Sequence, residues 1–473
     1  MKKYDIPPQA KRELQRQQAE RMSSPGADPE LARRRARLEV VKKYADLEGT
    51  PRQVLGELQE AKLLRAATSE RQLDEVMVDF WFNHFNVFAD KGPEKLLLPE
   101  YEREVIRKHA FARFEELLLA TAKSPAMLFY LDNWLSADPN AKARFDEARE
   151  ERRRRITELE RRGRRGRILM PMRPEDDPTR PQAGPRRSGL NENYAREIME
   201  LHTLGVDGGY TQKDVTEVAR CFTGWTIEGL RQQDPRFRFL PMLHDPGDKV
   251  VLGRTIKSAG QGEGEKVIHL LATHPETARF ISGKLVRRFV SDEPPPALVA
   301  RAARTFEKTE GDIRKVLKTI FDSEEFGQAQ KAKIKTPFEF VVSALRAAGA
   351  EVSDARDLAR RIGEMGMPLY LQQPPTGYKD TALAWVSTSG LLARLNFALD
   401  LSGGRVRGVS ADVRALAPEA GDGYELARAL AARLVPAGLS EQTRKTLEEK
   451  AGANLDAARV AGLVLGSPEF QRR

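Results

Sequence analysis

Apolar side chains recur at three- and four-residue spacing along most of this chain, the mark of helices that bury one stripe. The spacing predicts buried helices from Pro51 to Ala67, from Glu70 to Phe88 and from Tyr101 to Ala122. Ser124-Pro125 opens another, through Met127, Leu128 and Leu131, that ends near Trp134. The run from Leu190 to Gly205 reads as one capped helix over 191–204. Asn191 is its N-cap, Gly205 its left-handed C-terminal residue, and Val206 closes back on Leu201. Thr211 and Asp214 open a further helix through Phe222 in a capping-box arrangement. Helical spacing then returns from Gly264 to Thr273, from Glu276 to Val290, and near 297–308, 312–321, 337–348, 354–364, 389–401, 424–434 and 440–449. Against this, Arg236-Phe237-Arg238-Phe239 alternates, and Lys249-Val250-Val251-Leu252 follows the turn Asp245-Pro246-Gly247-Asp248. These two runs read as one small hairpin.

The pattern fails over 136–188. Ala141 to Arg162 reads as one highly charged helix, and Gly163 to Gly189 holds several prolines and glycines but few apolar residues. The expectation is an all-α protein: a multi-helix packed core with one small β-hairpin and a mobile basic insertion. Its parts are an N-terminal charged helical extension (1–50), a first core half (51–135), the basic mobile insertion (136–188), a second core half with the hairpin (189–330) and a C-terminal helical subdomain (331–473). A chain of 473 residues exceeds what one core usually sustains, so two or three packed subdomains are expected.

Charge changes this picture less than its total suggests. Of the net +10, the stretch from Lys142 to Arg187 supplies +7, with sixteen Lys and Arg against nine Asp and Glu. Phe145 is its one aromatic, so stacking platforms for bases are missing and no nucleic-acid partner is expected. Cys221 is the sole cysteine, which excludes an intrachain disulfide. No window approaches the ~20 apolar residues of a membrane span. Met1 to Pro8 carries charge without an apolar run behind it, so it does not read as a signal peptide.

Six histidines narrow the candidate chemistry. His109, His269 and His274 have bland explanations in a charged run, an amphipathic helix and a helix entrance. His84 sits among Trp81, Phe82, Phe85 and Phe88 beside Asn83. It is either a desolvated imidazole of a site or a buried one bonded to backbone. His202 falls in the last turn of its helix, five residues after Glu197 and nine after Asn193. His244-Asp245 either forms a turn or presents an imidazole to the helical core. No face of the 191–204 helix gathers a ligand set, so a metal would need donors from separate elements. No cofactor motif is present. The candidate site is therefore Asn83, His84, Asn193, Glu197, His202 and His244. Glu197 or a histidine would be the general base, with Asn83 and Asn193 as orienting donors. The alternative is a non-catalytic helical binding or scaffold protein whose polar groups form a satisfied core network.

The motifs Phe80-Trp81-Phe82-Asn83-His84-Phe85, Leu190 to Tyr210, Phe222-Thr223-Gly224-Trp225, His244-Asp245, His274 to Phe280, Lys335 to Glu339 and Gly377-Tyr378 occur in this order. Together they resemble a large bacterial family catalogued as domain of unknown function eighteen hundred. The resemblance implies a mostly helical protein, often exported, frequently encoded beside a sulfatase-like or phosphatase-like protein that is its candidate partner. It implies no catalytic residues. Many members carry His-Asn-His where this chain has Phe82-Asn83-His84, which argues against a two-histidine mechanism here.

Overall fold

The computed structural model describes residues 50–161, 189–230, 234–329, 333–421, 423–451 and 456–473, with Glu13 and residues 15–17. Most of the 1–50 extension and all of 163–187 thus lie outside the described residues. The protein is mainly helical, and among the described residues the only sheets are three two-stranded antiparallel ribbons. The chain divides into two compact units. The first is Met1–Leu117 with Ala278–Arg473, and the second is the continuous Leu118–Thr277. No described helix is long and apolar enough to cross a membrane.

In the first unit, local sequence fixes where helices start. Thr50 caps Pro51–Thr68 by accepting from Gln53 N at 3.3 Å, with Pro51 preset for the first turn. Thr336 and Glu339 form a reciprocal capping box on Pro337–Ala347. The Pro51–Thr68 helix packs on Glu94–Glu100, Pro337–Ala347 and Arg356–Glu364. An aromatic core joins Trp81 and Phe85 to Phe114, at 5.9 and 6.3 Å between ring centroids, and Phe114 to Phe306 at 5.8 Å. The helix expected over Tyr101 to Ala122 is interrupted: a π-helical segment, Tyr101–Arg107, is followed by a break before Phe114–Lys123.

In the second unit, Asn191 caps Glu192–Met199 as its sequence position predicts, accepting from Tyr194 N at 3.1 Å. The helix does not run on regularly. It widens into a π-helical turn over Glu200–Leu204, where Thr203 Oγ1 donates to the carbonyls of Ile198 and Met199. Gly205 has positive φ (81°), but its ψ of 171° is not left-handed helical, and Val206 is 70% exposed rather than closed on Leu201. The expected hairpin is corrected too. Both runs are strands, but they do not pair with each other. Arg236–Phe239 pairs with Trp225–Glu228, and Lys249–Val251 pairs with Arg254–Ile256. The reason is local: Leu252 (φ 48°) and Gly253 (φ 73°) both take positive φ, the two-residue turn that returns a strand on its own neighbour. Asp214 holds this turn by accepting from Leu252 N at 2.7 Å. The charged helix is present as Ala141–Arg161, with exposed pairs such as Glu151–Arg155.

Candidate functional site

The Gln72–His84 helix ends at a cavity of about 240 Å³ within the first unit. His84 closes that helix at 2% exposure, with Trp81 and Phe85 edge-on to its ring at 5.5 and 4.5 Å. Its Nδ1 lies 2.9 Å from Nζ of Lys284 on the Pro275–Phe289 helix. An ammonium has no lone pair, so when Lys284 is charged it donates and Nδ1 accepts. Among the described residues no carboxylate lies within ion-pair reach of Lys284, whose amine sits 5.4 Å from the Phe280 ring centroid. Burial, helped by the Arg287 charge, pushes the Lys284 pKa down from the usual lysine range to about 8. An amine and an imidazole thus share one proton donor–acceptor contact on a cavity wall, with Arg287 and Lys379 lining the same space.

Asn83 spends its amide on the loop that forms the opposite wall. Its Nδ2 donates to Tyr378 O at 2.9 Å and its Oδ1 accepts from Tyr378 N at 2.7 Å. Asn86 Nδ2 donates to the carbonyls of Gln372 and Pro374, both at 2.9 Å. Gly377 (φ 69°) lets the backbone come so close that an added Cβ would sit 2.2 Å from Asn83 O. The loop is completed by Tyr378 donating to Pro368 O and Trp385 Nε1 donating to Lys379 O.

A profile of the family described as Protein of unknown function (DUF1800) matches residues 5–472. The chain belongs to the DUF1800 family. No curated protein and no solved structure matches it.

The remaining candidates of this DUF1800 chain, Asn193, Glu197, His202 and His244, lie in the second unit. Asn193 is exposed. Glu197 is half-buried, and burial, then the nearby Glu200 charge, raises its pKa to about 7 against the weaker opposing pull of Arg196. Glu200 accepts from Tyr210 OH at 3.0 Å. His202 is buried within the π-helical turn. His244 is buried in a network with Thr223, Glu263 and Lys249. Its Nδ1 meets Thr223 Oγ1 at 3.1 Å and its Nε2 lies 3.0 Å from Glu263, which also takes Lys249 at 2.5 Å. Burial opposes charge on Glu263, but Lys249 and His244 outweigh it and hold its pKa below the usual range. Among the described residues no cluster of three or more His, Cys, Asp or Glu could hold a metal.

Sequence reasoning missed Lys284 and the buried ion network behind it. Asp79, in the apolar run Met77-Val78-Asp79-Phe80-Trp81, takes Lys62 at 2.7 Å and Arg288 at 3.4 Å. A lone carboxylate inside an aromatic helix stripe was the available signal, because it must find a cation when buried.

Proposed function

We propose that this DUF1800 protein is an acid–base enzyme for small organic anions, working in the first-unit cavity with Lys284 as base and His84 as its proton partner. The observation that carries this reading is the 2.9 Å contact between Lys284 Nζ and His84 Nδ1 on the wall of that cavity. A lysine with a pKa near 8 has a substantial neutral fraction close to neutral pH, which an ordinary surface lysine lacks. The neutral amine takes a proton from a bound C–H or O–H acid, and the electron pair stays on the substrate. The ammonium so formed passes the proton to His84 Nδ1 or returns it to the product. Arg287 and Lys379 supply positive charge for an anionic substrate, and Asn83 acts as a positioning residue by fixing Tyr378 and Lys379. On this reading Asn193, Glu197, His202 and His244 stand outside the chemistry, although Glu197 keeps a titration range suited to a second base.

The test uses the full chain in heavy water with a panel of small carboxylates and phosphate esters. One class is expected to take up deuterium, with the rate falling by roughly 10²–10⁴-fold in Lys284→Met and His84→Gln. Trace acetylation should show Lys284 titrating near 8. A midpoint near the ordinary lysine value, or exchange that survives both substitutions, sinks the proposal.

The runner-up is a non-catalytic helical binding or scaffold protein, partnered by a sulfatase-like or phosphatase-like protein. It draws on the His244–Glu263–Lys249 network, whose charges answer one another and which is built like a core-fixing device. Absence of any exchange, with a purified hydrolase-like partner binding the chain, would favour it.

A further inference from the structure

Behind the Asp79–Arg288 pair lies a second cavity of the first unit, about 350 Å³, which shares those two residues with the first. Its cations are Arg288, Lys335, Arg346 and Arg473. Its carboxylates are mostly committed elsewhere. Glu75 takes a bidentate pair from Arg107, both bonds at 2.8 Å, and Asp79 is shared with Lys62. Glu339 serves two of the cavity's own guanidiniums, Arg288 at 3.0 Å and Arg473 at 3.1 Å. Burial opposes ionisation of Glu339, yet Arg288 and Arg473 overcome it and hold its pKa at about 2.

The surplus positive charge is answered by carbonyls, by the Phe470 ring, its centroid 3.9 Å from Lys335 Nζ, and, at the exposed Arg346, by solvent. Lys335 Nζ donates to Phe470 O at 2.7 Å, and Arg346 Nη1 donates to Ala67 O and Ser69 O at 2.8 and 3.2 Å. Among the described residues neither has a carboxylate within ion-pair distance. Arg288, with its side chain 6% exposed, keeps Nε without a hydrogen-bond partner, and Arg473 keeps Nη2 without one. A buried guanidinium N–H that gives up water without a replacement is costly, and both of these guanidiniums belong to residues that line the cavity. The other wall is apolar, formed by Val76, Phe338 and Val342.

The geometry points to this second cavity as a binding site for a small organic anion, its carboxylate or phosphate on Arg288, Arg473 and Lys335 and its apolar body on Phe338. The site is separate from the His84–Lys284 chemistry and stands whether or not that chemistry does. Burial pushes the Lys335 pKa down to about 8, against the opposing pull of Glu339. Lys335 is a cation short of an anion, and an anion bound in the cavity would relieve it.

Calorimetric titration of the full chain with butyrate and with inorganic phosphate tests the site. At least one is expected to bind saturably, at least tenfold more weakly to Arg473→Ala and with unchanged affinity to Lys284→Met. Butyrate alone assigns a carboxylate, phosphate alone assigns a phosphate, and both support the site. Should Arg473→Ala fail to fold, Lys335→Met carries the same tenfold expectation. The inference is overturned if neither anion binds, or if Lys284→Met abolishes binding that the folded Arg473→Ala or Lys335→Met variant retains.

Discussion

A half-buried carboxylate beside a second one titrates late, and Glu197 beside Glu200 shows how that reaches stability. Its pKa is raised from 4.5 to about 7, so the native state holds this proton more tightly than the unfolded chain. The stability it contributes is complete below about pH 4.5 and is lost as pH rises through about 7. Glu197→Gln should therefore leave stability at pH 4 nearly unchanged and raise it at pH 8. With solvent screening allowed for, the gain is on the order of 1 kcal/mol. Urea denaturation of both proteins at the two pH values checks this, and equal stability at pH 8 would remove Glu197 as a perturbed group. The sequence alone made Glu197 a candidate general base. It could not identify Lys284, whose neighbour His84 lies two hundred residues away in the chain.

At the scale of elements, helix ends and turns were more legible than strand partners. Asn191, Thr211 and Pro275 mark helix starts because caps act within three or four residues, the range over which sequence speaks directly. The strand Arg236–Phe239 was visible by alternation, but its partner Trp225–Glu228 was not, since pairing depends on which turn closes first. The π-helical turn at Glu200–Leu204 left no mark in the spacing, because a single wide turn shifts the apolar stripe too little. The loop pinned by Asn83 and Asn86 showed in the sequence only as the motif Gly377-Tyr378, and the close approach at Gly377 did not show. Gly377→Ala meets both a positive φ and a backbone oxygen 2.2 Å away, so it should cost ~2–3 kcal/mol. Limited proteolysis should then cut near Gln372–Lys379 well before global unfolding, and resistance equal to the parent would show that the loop has slack.

At the scale of the whole molecule, the two units differ in how the chain makes them. The second is one continuous segment, and it holds complete internal sets: Tyr194, Phe222, Trp225 and Phe237 in edge-on ring contacts, and Glu263 with Lys249 and His244. Residues 118–277 expressed alone should therefore fold and melt cooperatively, and a broad non-cooperative calorimetric trace would refute this. The first unit is discontinuous, and its helical character was legible while its assembly from two distant stretches was not, since no periodicity encodes which segments meet. That discontinuity bears on the chain while it is being made. Trp81, Phe85 and Phe114 leave the ribosome long before Phe306 exists to cover them. At ~5–20 residues per second the intervening segment alone takes roughly 8–30 s. For that interval the aromatic cluster is a hydrophobic surface waiting for its other half, and the nascent protein in that window is the natural client of a chaperone that holds apolar segments.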